Sequence, residues 1–176
     1  MTDHDPTSSA SPLARLAQVV ARSQRFRGDT AALDNGEQAA LARLDPEAPR
    51  PHQVGALARA LVLAGISPDD WQAETWQRWA LIAHGMALAG HDAASRLGAQ
   101  LARADVSEGR VTRLLTARGD AFRQQVPRVL RLMASRGVAP NWRDFGALIL
   151  ATDRDEAHAE TLRLRIAGAY YATAHR

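Results

Sequence analysis

Between residues 52 and 64 the apolar side chains Val54, Leu57, Ala58, Leu61 and Val62 fall at offsets 0, 3, 4, 7 and 8, the spacing that lines one face of an α-helix. Similar periods recur along the chain, and each is soon cut by Gly, Pro or an Asp-containing pair. Such a chain folds as short helices packed side by side. Composition closes off the alternative. There are 36 Ala and 20 Leu against 9 Val and 4 Ile. Ala, Leu and Arg are strong helix formers, whereas strands favour β-branched residues. The expected fold is all-α, with roughly nine helices in two small helical lobes, 12–104 and 105–176. Residues 1–11 read as a disordered tail, polar and acidic and without the apolar stretch of a secretory signal.

The breaks set the expected elements. Pro12 suits a first helical turn, and that helix runs to about 25, where Gly28-Asp29 interrupts. Leu33-Asp34-Asn35-Gly36 is a turn signal before a short helix over 37–44. The helix after the Pro-rich loop 45–51 ends at Gly65, and Ser67-Pro68-Asp69-Asp70 starts the next, which carries Trp71, Trp76 and Trp79 as core and stops near Gly90. Further helices are expected over 92–104, 107–118, 121–136, 141–151 and 153–174, with Asp92, Ser107 and Asn141 at N-termini and Gly137 as a C-cap.

Charge narrows the function. All 22 bases are Arg, since the chain has no Lys. Lysine Schiff-base and P-loop chemistry are excluded, and the absence of Cys removes disulfides, thiol catalysis and cysteine-ligated metals. The apolar runs fall short of the ~20 residues that span a bilayer; a cytoplasmic protein with no membrane partner is expected. The net charge of +3 hides an asymmetry: 96–143 holds ten Arg against three acids, so the remainder is net negative. A one-sided block of this kind is the footprint of a nucleic-acid site. Arg96, Gln100 and Arg103 are spaced i, i+4, i+7, as are Gln124, Arg128 and Arg131, and Arg110 and Arg113 are spaced i, i+3. Three neighbouring helices with Arg along one stripe make a groove for a phosphate backbone, if the stripes share a side.

The segment Leu97-Gly98-Ala99-Gln100-Leu101-Ala102-Arg103-Ala104, with Val106-Ser107-Glu108-Gly109-Arg110-Val111-Thr112-Arg113-Leu114-Leu115, resembles the central signature of the CasB family, the small subunit of the type I-E CRISPR Cascade effector. Leu33-Asp34-Asn35-Gly36 followed by Ala39, Leu41 and Arg43 is similar to that family's early motif, Val129-Leu130-Arg131-Leu132-Met133 to a later helix, Asn141-Trp142 to a helix start, and Tyr170-Tyr171 to a terminal aromatic pair. Ala42 and Leu130 stand where the family has the first Arg of two pairs, Gly109 where some relatives have a base, and Ala151-Thr152 and Ile166 where Trp is usual. The resemblance implies an all-α, two-lobed subunit with no catalytic residues, metal or cofactor. It implies as partners crRNA, single-stranded and displaced target DNA, the Cascade backbone and large subunits, and a second copy of the chain. The basic positions that coincide with the family's pattern are Arg43, Arg110 and Arg131; Arg96, Arg103, Arg113, Arg118, Arg128 and Arg143 would support them in nucleic-acid binding and R-loop stabilisation.

Two other readings use the same residues. Leu101-Ala102, Val106-Ser107 and Val111 imitate a helix-turn-helix of a DNA-binding regulator. The Ala-to-Val-Ser interval is one residue short, however, and no turn Gly precedes Val106. His91-Asp92 is the pair that binds metal in some all-α phosphohydrolases, but His52, His84 and Asp153 do not stand at diagnostic spacings; the favoured reading is a helix stop at Gly90 followed by an N-cap at Asp92.

Overall fold

The computed structural model describes residues 10–25 and 32–175, with the backbone alone for 23–25. The expected tail up to residue 9 and the interruption at Gly28-Asp29 lie outside the described residues. Among them are nine helices and no strand: α1 (Pro12–Arg25), α2 (Asn35–Ala42), α3 (Pro51–Leu63), α4 (Ala73–Ala89), α5 (Leu97–Arg103), α6 (Glu108–Thr116), α7 (Gly119–Ser135), α8 (Trp142–Ala151) and α9 (Glu156–Ala174).

Several helix ends differ from expectation, each for a local reason. The segment 33–36 starts a helix rather than turning. Asp34 accepts from the Glu37 amide at 2.8 Å while the Glu37 carboxylate accepts from the Asp34 amide at 2.9 Å, a capping box that satisfies donors at both positions. α4 begins at Ala73, after Trp71. α5 begins at Leu97, not at Asp92, because the Asp92 carboxylate captures the Ala94 amide at 2.8 Å and holds the chain in a side-chain turn. Ser107 precedes α6 as expected, but its hydroxyl makes no capping bond. Asn141 does cap α8, accepting from the Arg143 amide at 3.0 Å.

The α3 stripe is shifted. Val54 and Val62 are 36% and 62% exposed, and the buried positions are Gln53, Ala56, Leu57, Ala60 and Leu61. α1 and α2 both pack on this helix, where small Ala allows close approach. Gln53 tolerates burial because its amide donates to the Arg43 carbonyl at 2.9 Å and accepts from the Arg50 amide at 2.9 Å.

α4 is the hub, packing on α1, α2, α7 and α8. It is buried without interruption from Arg78 to Met86, as a helix enclosed on all sides must be. One apolar core runs from Leu13 to Tyr170. It joins helices on either side of residue 104: α4 to α7 and α8, and α5 to α9. Trp79 is buried; half-buried Trp71 stacks on it, and half-buried Trp76 meets Trp71 edge-on. Trp142 and Phe145 are fully buried and stack with centroids 5.5 Å apart.

α5 and α9 form the closest pair. A Cβ on Gly98 would overlap the Ile166 carbonyl and lie 2.6 Å from the Tyr170 nitrogen and 2.9 Å from the Ala169 Cβ. Two of these neighbours are backbone and cannot swing away, so only Gly allows the contact. Gly98→Ala is expected to destabilise the protein by about 3 kcal/mol through overpacking. Gly168→Ala, on the same α9 with nothing within 4 Å, is expected to stabilise it by about 0.5–1 kcal/mol. Urea unfolding of the two variants checks the pair; equal effects would remove the close-approach account.

Candidate nucleic-acid interface

Packing separates the nine basic candidates. Arg43 is the residue that closes α2, and Arg131 lies on the exposed side of α7. The fold brings both to one groove of about 660 Å³ between the α2–α3 loop, α4 and α7. Gln124, Arg128 and Arg131 are all exposed along α7, opposite buried Phe122, Val126, Val129 and Met133. Arg110 and Arg113 are exposed on α6, away from buried Val111, Leu114 and Leu115; neither lines the groove. Arg143 is exposed in the first turn of α8.

The first expected stripe does not form. Arg96 precedes α5 and Arg103 ends it, both exposed, but Gln100 between them is fully buried. Its amide nitrogen donates to the Asp92 carbonyl at 2.9 Å, and its oxygen accepts from the Asn141 amide at 2.6 Å. The i, i+4, i+7 spacing there marks a buried junction rather than a solvated face.

Among the described residues, Arg118 is the one candidate of the nine that forms an ion pair. Its guanidinium meets Glu156 at 3.1 Å and Glu160 at 3.8 Å, and it donates to the Leu115, Thr116 and Ala117 carbonyls at the end of α6. The Arg163 hydrogen bond, joined by the Asp153 amide and the Arg118 charge, holds Glu156 at a pKa of about 2.

The groove contains residues that the sequence reading did not select. Arg123 on α7 is fixed by Glu47 at 3.1 Å and by Asp120. The Glu47 amide in turn donates to Asp45 at 3.0 Å. His84 is buried at the groove wall, and its Nδ1 lies 3.1 Å from the Leu41 carbonyl. A carbonyl only accepts, so Nδ1 carries the proton and Nε2 is the acceptor of the neutral ring. Burial pushes the His84 pKa down, and the Leu41 hydrogen bond opposes this in part. The signal was present in α4: Gln77, Leu81, His84 and Leu88 lie at helical spacing and line the groove together.

The other constellations are structural. His91 Nδ1 accepts from the Trp142 amide at 3.2 Å, at the start of α8. No group of three or more metal-ligating side chains occurs among the described residues. α5 packs chiefly on α9, and α6 on α7 and α9, so the two helices do not form the mutually packed pair of a helix-turn-helix. The Tyr170 hydroxyl donates to the Val106 carbonyl at 2.7 Å and is buried, whereas exposed Tyr171 donates to Glu108 at 2.9 Å. No described helix is long and apolar enough to cross a membrane.

His84 and His91 together set a pH response. Burial lowers both pKa values below 6.5, so the unfolded chain binds protons that the folded chain refuses. Stability is therefore full above about pH 6.5 and falls as the pH drops below it. Glu74 and Glu156 are shifted down from 4.5 and act only in more acidic solution. The urea midpoint should fall between about pH 7.5 and 5.5, and less steeply in His84→Gln. An unchanged or rising midpoint would contradict the assignment.

The family model described as CRISPR-associated protein Cse2 matches residues 37–171. No curated protein and no solved structure matches the chain. The match spans most of the sequence, and the chain belongs to the Cse2 family, that of the type I-E Cascade small subunit.

Proposed function

We propose that this Cse2-family chain is the non-catalytic small subunit of a type I-E CRISPR surveillance complex, that it contacts crRNA, target and displaced DNA strand through surface Arg, and that it thereby stabilises the R-loop in antiviral defence. The observation that carries the reading is the meeting of Arg43 and Arg131 at one groove, from segments far apart in sequence and with no carboxylate paired to either among the described residues. Arg binds phosphate through a planar fork. R-loop formation is nearly balanced in base pairing, so a few backbone contacts can tip it.

Arg43, Arg110 and Arg131 lead the proposed contacts. Arg96, Arg103, Arg113, Arg128 and Arg143 extend them, and Arg118 contributes least because acids and carbonyls already occupy its guanidinium. The backbone and large subunits and a second copy of this chain are the proposed protein partners, in the cytoplasm. The subunit binds and does not cleave. Purified protein should leave RNA and DNA intact with or without divalent metal, and metal-dependent turnover lost on changing His91 or Asp92 would overturn that.

The isolated protein is expected to bind single strands weakly and without sequence preference, with a log–log salt slope of roughly −2 to −5. Arg43→Ala and Arg131→Ala should each weaken target retention by the assembled complex. Each should change stability by less than about 0.5 kcal/mol, as exposed substitutions do. Leu57→Ala, at a core position 2% exposed, should instead cost ~2–5 kcal/mol of stability. A flat salt response, or full retention by the Arg43/Arg110/Arg131 triple variant, would sink the reading. Co-purification with backbone subunits and a small RNA tests the assembly directly.

A further inference from the structure

We propose that the groove between α2, α4 and α7 is a nucleotide pocket: it takes one base of a single-stranded ligand against Leu81, Leu88 and Pro127, with the adjoining phosphate on Arg43 and Arg131. This rests on the nucleic-acid reading above and adds a contact to the base, which that reading does not require. The groove measures about 660 Å³, within the range of roughly 300–1,000 Å³ typical of small-ligand clefts.

Its two ends differ. α4 and α7 run parallel: Arg78 and Leu81 share a small void with Phe122 and Arg123, and further along a Cβ on Gly85 would lie 2.8 Å from Leu130. The Arg123 end is therefore level with the start of α4, and there Glu47 and Asp120 neutralise Arg123. At the other end the Leu41 carbonyl binds His84, which brings the close of α2 to that level. Arg43 follows Leu41 by two residues, and Arg131 is near enough for its charge to act on His84. Formal charges in the groove cancel, with three Arg against Asp45, Glu47 and Asp120. Asp45, whose charge also acts on His84, lies at the same end and accepts from the Glu47 amide, but neither Arg43 nor Arg131 forms an ion pair with it among the described residues.

The wall between the ends is apolar where Leu81, Leu88 and Pro127 contribute and polar where Gln77, Gln124 and His84 do. Because Nδ1 is held by the Leu41 carbonyl, the free polar atom of the His84 ring is the Nε2 acceptor. It suits an amino or imino N–H on a base edge. An apolar wall can cover a base face, an acceptor can bind the base edge, and guanidinium groups can hold the phosphate.

The test uses the full chain. The His84 ring and the Arg43 and Arg131 Nε resonances are followed by NMR while 5′-CMP, inorganic phosphate or a polyglutamate peptide is added. Binding of a short single strand is then compared with that of a base-free strand of equal length and charge. The expected result is a saturable His84 shift with 5′-CMP that phosphate does not produce, and about 10-fold tighter binding of the strand with bases, the order given by burying one base face on apolar side chains. Ala42→Leu, which fills the groove beside Arg43, should abolish the base preference and leave the base-free strand bound as before. Equal binding of the two strands would overturn the pocket and leave the backbone reading standing. Failure of both strands to bind would overturn that reading as well. A His84 shift with polyglutamate equal to that with 5′-CMP would make the groove a peptide site and overturn the proposal.

Discussion

Gln100 is buried to zero exposure, and both ends of its amide are used. One hydrogen bond holds the Asp92 carbonyl in the loop after α4; the other holds the Asn141 amide at the entrance to α8. The join is reinforced around it. Asn141 donates to the Ser95 carbonyl at 2.9 Å, the Trp142 indole to the Gly90 carbonyl at 2.7 Å, and the Leu97 amide to Asp144 at 3.0 Å. Each buried group here costs about 1–3 kcal/mol if its partner is lost. The join fixes where α4 ends, where α5 starts and where α8 enters. Only with Trp142 so placed does its ring close on Gly85, where a Cβ would overlap it, and only with α5 so started does Gly98 face α9.

The chain holds one kind of cation in two settings, and fixed acceptors decide which. Arg78 and Arg163 are 6% and 4% exposed. Arg78 donates to the Ile149 and Thr152 carbonyls, both at 2.6 Å, and Arg163 reaches the Thr152 hydroxyl and Glu156. Together they finish the C-terminus of α8, where free carbonyls favour a positive charge. Arg118 does the same for α6. These guanidiniums are structural, because fixed carbonyls and carboxylates take most of their donors. Those of Arg43 and Arg131 point to a groove whose acids are engaged elsewhere.

Much of the architecture was legible because it depends on local rules. Helical periods, few β-branched residues and stops at Gly65, Gly90 and Gly137 place the helices, and the bulk of Trp79 and Trp142 marks them as core. What stayed hidden depends on partners distant in sequence. Gln100 looks like part of a solvated stripe until Asn141, 41 residues on, takes its oxygen. Val54 and Val62 look like core until small Ala residues let α1 and α2 occupy the other face of α3. Asp34 reads as a turn residue until the reciprocal bond with Glu37 makes it a cap. At the groove, Arg43 and Arg131 were selected from the sequence, but Arg123 and His84 were not. Their roles come from Glu47 and Leu41, which no spacing rule connects to them.

The seven residues of α5 are too few to hold a helix by themselves in water. The surface that supports them, α9, begins at Glu156, more than fifty residues further along the chain. During synthesis α5 leaves the ribosome well before α9 exists. The segment that joins α4 to α8 through Gln100 therefore cannot settle until α9 has been made. Folding of the segments before α9 as a finished unit is disfavoured by this order. Removing α9 would cost more than one helix, since the Gly98 contact and the buried junction behind it depend on it.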